Sequence, residues 1–209
     1  MTKIKPDLYN VLNKSNAIRS QKAIEKNLTA IAHALWEWKA LEAFDKYRKS
    51  KRIYYRGASF FEITTKALFS DMIRNTINVL EIDKRGDATS FWYILKTEEV
   101  IIKSLEAYSQ EKITFLRNLA KKLMHIRDKD FFHHDKNGVL NTGKIWREAD
   151  IVGKDVGEGI GYLFYMLSEL YEKILSKKFE FYPDDYNGED FIKLLELAEK
   201  NHIIEVSPR

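Results

Sequence analysis

Three of the five histidines of this 209-residue chain lie within ten residues of one another: His125, His133 and His134. Arg127, Asp128, Lys129, Asp130 and Asp135 stand among them. Histidine is the side chain whose ordinary pKa suits proton transfer near neutrality. Arginine presents a planar fork matched to phosphate oxygens and stabilises charge developing on phosphorus. RNA carries its own nucleophile, the 2′-hydroxyl, so its cleavage needs only these two kinds of group and no metal. The bland alternative is a solvated charged turn followed by surface histidines.

Spacing constrains the choice. Phe115, Leu116, Leu119, Leu123 and Ile126 recur on one helical face, and the apolar pattern stops at Arg127. On an ideal helix Arg127 and His133 stand about 240° apart, whereas Arg127 and His134 share a face. Either the helix bends or ends before His133, or His134 is the working residue. Asn137-Gly138 is a strong turn signal and favours an ending helix.

Arg127-Asp128-Lys129-Asp130-Phe131-Phe132-His133 resembles the HEPN superfamily, whose members carry Arg, four to six residues and then His near the end of a bundle helix. It is similar in particular to the AbiU-type abortive-infection branch, which tends to read Arg-Asn/Asp-Lys-x-x-Ala-His-x-Asp. Arg127, Asp128, Lys129, His133 and Asp135 match. Phe132 departs from the pattern, being bulky where a small residue is usual. Upstream, an acid after a long helix (Asp83) and Thr89-Ser90 before the short apolar segment Phe91 to Leu95 echo the same layout.

The resemblance implies a metal-independent endoribonuclease leaving a 2′,3′-cyclic phosphate and a 5′-hydroxyl, with no cofactor. It assigns phosphate binding to Arg127, proton transfer to His133 and orientation of Arg127 to Asp128, with His134 as the alternative histidine. It implies a homodimer in which two copies of Arg127 and His133 face one cleft, an RNA substrate, a cognate antitoxin protein and a cytoplasmic setting. Two other readings stand beside it. One is a helical dimerisation or RNA-binding module without turnover. The other is a metal-dependent phosphohydrolase, because His134-Asp135 resembles the doublet of HD-domain enzymes.

Composition agrees with a helical domain. Apolar residues make up 44% of the chain and charged residues 32%, and three prolines leave little to interrupt long helices. There is no cysteine, which excludes disulfides, thiolate metal sites and thiol catalysis. No apolar run spans a bilayer, so no membrane partner is expected. The net charge of +4 permits a nucleic acid partner without requiring one.

The elements that must position the motif read as an all-α, largely antiparallel, up-and-down bundle of long helices. An N-terminal arm covers residues 1–14, the bundle 15–178, and an appendage with a short helix 179–209. A helix over 15–50 carries Ile24, Leu28, Ile31, Leu35 and Trp38. His33 reads as a histidine at the edge of this core. The helix exits through Lys46, Arg48, Lys49, Lys51, Arg52 and Arg56 interleaved with Tyr47, Tyr54 and Tyr55. This stretch reads either as an RNA-tracking patch with stacking rings or as cations at the negative end of a helix dipole. Lys129 joins these cations as an RNA contact.

Ser59 and Glu62 form a capping box that opens the next helix. Its apolar sector is predicted to run through Phe60, Phe61, Ala67, Leu68 and Val79, with Asp71, Asn75 and Asn78 inside it. Asp71 and Asn75 then form either an interhelical ladder or a support for Arg127, and Arg74 is a local alternative partner for Asp71. Further helices are predicted over 97–108, with Val100, Ile101 and Leu105 inward, from Ser109 into the motif, over 151–177 and over 189–201. Residues 136–150 read as a loop with Ile145 and Trp146 tucked in, and 202–206 as a small strand or docked tail. Gly153, Gly157, Gly159 and Gly161 at the start of the 151–177 helix suggest close approach of another element.

Overall fold

The computed structural model describes residues 6–51, 54–56, 58–82, 89–128, 142–181, 189–201 and 205–207. The chain is all-α, with one short strand pair among the described residues. In chain order the elements are α1 (Pro6–Lys51), β1 (Tyr54–Arg56), α2 (Ala58–Leu80), α3 (Phe91–Thr97), α4 (Glu99–Lys103), α5 (Gln110–Ile126), α6 (Thr142–Glu148), α7 (Gly153–Leu175), α8 (Glu189–Lys200) and β2 (Glu205–Ser207). None of these helices is long and apolar enough to cross a membrane, judged over the described residues.

Helix α1 begins at Pro6 rather than near Ser15. Proline is tolerated in a first helical turn, and no Gly or Pro follows before Lys51, so residues 6–14 are helix rather than arm. The chain forms two compact units, Met1–Ala30 with Ile77–Phe179, and Ile31–Thr76 with Glu180–Arg209. One border falls after Phe179. The others fall inside α1 and α2.

In the first unit α5 runs antiparallel to α7. Phe115 meets Tyr162 edge to face at 5.6 Å, and Lys112 lies 5.3 Å over the same ring, while Leu119, further along α5, meets Gly159, earlier in α7. The first part of α1 runs against residues 89–98 in the same opposed sense. Asn27 Nδ2 donates to the Thr89 carbonyl at 2.5 Å and Ser20 Oγ to Glu98 Oε1 at 2.5 Å. Both Asn27 and Ser20 are buried, so these bonds satisfy groups that would otherwise be costly to desolvate. Ile24, Leu28, Phe91, Ile94, Leu116, Leu123, Ile160, Leu163 and Leu167 fill the core.

Two local expectations are corrected here. The stretch 97–108 is not one helix. It ends at Lys103, where Lys173 Nζ donates to the Ser104 carbonyl at 2.9 Å, and the Glu169 carboxylate accepts from the N–H groups of Glu106 and Ala107, each at 2.9 Å. Of the residues expected inward, Leu105 is buried, Ile101 is half-buried and Val100 is 85% exposed, while Ile102 is buried instead. Residues 142–148, predicted as loop, form α6, because Ile145 docks with Ala149 against Ile126.

The second unit contains the later part of α1 and the earlier part of α2. Ile31, Ala32, Ala34 and Leu35 are buried from α1, and Met72, Ile73 and Thr76 from α2. The expected α2 face holds at Val79 and fails at other described positions. The helix buries Met72, Ile73, Thr76, Ile77, Val79 and Leu80, while Ala67, Asp71 and Asn78 are exposed. Its later residues repeat at i, i+3 and i+4, and that repeat sets the buried face, while the side chains of Phe60 and Phe61 lie outside the described residues. β1 and β2 pair antiparallel, Tyr54 opposite Ser207, Tyr55 opposite Val206 and Arg56 opposite Glu205. The chain leaving α1 is therefore a strand, and the small C-terminal strand expected over 202–206 is observed over 205–207.

Candidate functional site

The site is built on the end of α5. Ser109 opens this helix with extended backbone, and its Oγ accepts from the Lys112 N–H at 3.2 Å, the ordinary N-cap arrangement. Ile113, Leu116, Leu119, Ala120, Leu123 and Ile126 bury one face. After Ile126 the helix widens into a π-helical turn at Arg127 and Asp128. Such widened turns recur at functional positions because they re-aim side chains that an α-helix would space regularly. Below the turn, Ile126 packs with Ile145 and Ala149, and Trp146 and Ile151 flank them.

The Arg127 guanidinium is held by two carboxylates. Nη1 donates to Glu81 Oε1 at 2.7 Å, and Nε donates to Asp128 Oδ1 at 2.9 Å. Its side chain is 24% exposed, against 39% for Glu81 and 59% for Asp128. Glu81 directly follows α2, and the Leu80 carbonyl before it accepts from Trp92 Nε1 at 2.9 Å. Trp92 in turn lies edge-on to Phe91 at 5.3 Å and beneath the Arg117 guanidinium at 5.6 Å. The backbone that carries Glu81 is thus tied to α3, and Glu81 reaches Arg127 from a fixed point. The arrangement orients an arginine and keeps part of it open to solvent, the state in which it can take an anion.

The other predicted site residues are distributed as follows. His133, His134 and Lys129 lie outside the described residues, as does Arg52. Lys46 is exposed on α1. Arg48, Lys49 and Lys51 lie in the last turns of α1, and Arg56 lies in β1 opposite Glu205. Histidine 125 is half-buried in the last turn of α5, with a buried Nε2 that finds no partner among the described residues. His33 is exposed.

Asp71 and Asn75 are grouped with a residue the sequence reading passed over, Glu37 of α1, and Arg127 takes its carboxylates from elsewhere. Asn75 Nδ2 donates to Asp71 Oδ2 at 3.5 Å, and Arg74 Nη1 stands 3.6 Å from Asp71 Oδ1. Glu37 is buried and shares a side-chain hydrogen bond with Asp71. Burial first, and the Asp71 carboxyl second, push its pKa from 4.5 up to about 8, while the Asn75 amide pulls it down. A carboxyl so placed holds its proton at neutral pH and donates it toward Asp71. The signal for Glu37 was an acid close to the apolar stripe of α1. Glu81 had a weaker one, an acid at the end of α2. The family pattern pointed instead to Asp83, outside the described residues.

Of the expected glycine contacts, Gly159 makes one. A methyl group there would press into Leu119 Cδ2 of α5, whereas one at Gly161 would meet nothing within 4 Å. The same two helices line an open groove of about 460 Å³ with Phe115, Asn118, Lys121, Lys122 and Asp155. Lys122, one of its lining residues, donates to the carbonyl of Asp150, a residue with φ of 49°.

Comparison with protein-family models, with curated proteins and with solved structures finds no match to this chain.

Proposed function

We propose that the chain is a HEPN-type, metal-independent endoribonuclease of the AbiU-like kind, acting as a toxin or an anti-phage abortive-infection effector. The observation that supports this reading is the Arg127 guanidinium, oriented by Glu81 and Asp128 at a widened turn. A phosphodiester approaching that group meets a cation already aimed by the Glu81 carboxylate, and a pre-aimed cation stabilises charge developing on phosphorus. His133 moves the proton in this reading, with His134 the alternative. The exposed Lys46 and the cations Arg48, Lys49, Lys51, Arg52, Arg56 and Lys129 are its RNA contacts. The working unit is a homodimer, because cleavage by a 2′-hydroxyl uses a base and an acid and a two-fold axis supplies a second histidine from the same sequence. A cognate antitoxin protein is the partner that restrains it.

The test is incubation of the purified protein with total RNA in excess EDTA. The expected result is cleavage with 2′,3′-cyclic phosphate ends, lost in both Arg127→Ala and His133→Ala, from a species that light scattering shows to be a dimer. Hydrolysis only with added metal would support the phosphohydrolase reading, and stoichiometric RNA binding without cleavage the non-catalytic module. Full activity in His133→Ala with loss in His134→Ala would move the proton-transfer role to His134.

A further inference from the structure

The two carboxylates on Arg127 differ in position in a way that assigns them different tasks. The guanidinium has five N–H donors on three nitrogens. Glu81 takes Nη1 and Asp128 takes Nε. The hydrogen bonds of Arg127 to described residues thus use Nη1 and Nε. The Nε–H and one Nη2–H point the same way and form the edge that grips two oxygens of a phosphate. Asp128 occupies half of that edge. It is the more exposed of the two acids and adjacent in sequence to Arg127, so it leaves with little disturbance. Glu81 binds Nη1, away from the Nε–H, at the shorter distance of 2.7 Å, and is the less exposed acid.

We propose that Asp128 is a self-occupying gate on the phosphate-binding edge of Arg127, displaced when an RNA phosphate binds, while Glu81 remains as the positioning residue. The proposal rests on the reading of Arg127 as a phosphate ligand. It adds that one acid competes with the substrate and the other supports it. In the unliganded protein the gate keeps the Nε–H of the guanidinium occupied. A phosphodiester then replaces one carboxylate oxygen at Nε and adds a second bond at Nη2.

The experiment measures binding of a fluorescent oligodeoxynucleotide, which lacks the 2′-hydroxyl and cannot be cut, by anisotropy at fixed low salt. Asp128→Ala should tighten binding about two- to five-fold, the range that loss of one exposed competing ion pair allows. Glu81→Gln should weaken it, although it too removes a negative charge. Opposite signs from two acid neutralisations are the signature. In an Arg127→Gln background the Asp128→Ala gain should vanish, whereas a generic charge effect would persist. Circular dichroism of each variant confirms that the helical fold is retained, and Glu81→Asp should recover part of the Glu81→Gln loss. Tightening by both single variants, or a gain that survives Arg127→Gln, overturns the proposal. The outcomes separate from those of the function itself: the binding pattern without RNA cleavage leaves the gate and removes the nuclease, while cleavage without the pattern does the reverse.

Discussion

Glu37→Gln is the substitution whose effect can be worked furthest. Glu37 is 6% exposed and bonded to Asp71, with its Oε2 unpartnered among the described residues. Its folded pKa of about 8 lies above the ordinary 4.5. The unfolded chain releases this proton first, so between pH 4.5 and 8 the native state binds more protons than the unfolded state. By linkage, stability then falls as pH rises. The contribution is fully present below pH 4.5 and is lost as pH rises through about 8. Each pH unit inside the window is worth up to about 1.36 kcal/mol. Raising the pH from 5 to 7 should therefore cost wild-type protein at most about 2.7 kcal/mol through this group. Asp71 is exposed, so water screens part of its repulsion and the measured loss falls below that ceiling.

Glutamine keeps the shape of the protonated acid, and its amide donates to Asp71 at every pH. The assay is urea unfolding of both proteins at pH 5, 7 and 8.5, followed by circular dichroism and by tryptophan fluorescence. What matters is the difference in slope against pH, because any fixed packing change of the substitution cancels from it. Wild-type protein should lose stability relative to Glu37→Gln across this range, with the gap widening most between pH 5 and 7. Parallel profiles would refute the shared-proton account of the Glu37–Asp71 contact.

The glycines of α7 give a paired test. Gly161→Ala should raise stability by about 1 kcal/mol, the helix-propensity gain, because the new methyl meets nothing within 4 Å. Gly159→Ala should fall short of it, since the same gain is offset by crowding against buried Leu119. Equal midpoints in thermal melts would show that α5 and α7 are not in close contact there. Ile145→Ala should destabilise by about 2–4 kcal/mol and loosen α6 from Ile126. If oligonucleotide affinity is unchanged while stability falls, α6 does not help fix the Arg127 turn.

How much of this was legible follows from how far apart the partners are in sequence. The α5 stripe, the Ser109 cap and the end of regular helix near Arg127 depend on neighbours within a turn or two, and all could be read directly. So could the contact of Arg127 with Asp128, which are adjacent. The Glu81 contact joins positions 46 residues apart, and no local period reports it. The Glu37–Asp71 contact is of the same kind, linking α1 to α2. Of the alternatives open for Asp71 and Asn75, the interhelical ladder and the local Arg74 contact are the ones observed, and the support for Arg127 is not. What the pattern did not show is that the buried acid is Glu37 and its partner the exposed Asp71. Both omissions have one physical origin. An acid near an apolar stripe is unfavourable as a charge but acceptable as a neutral acid, so its position alone does not name its partner. Only the opposing helix decides whether that partner is an arginine, as for Glu81, or a second carboxyl, as for Glu37. The first outcome leaves a charged, oriented group available to a ligand. The second leaves a shared proton, and with it a dependence on pH.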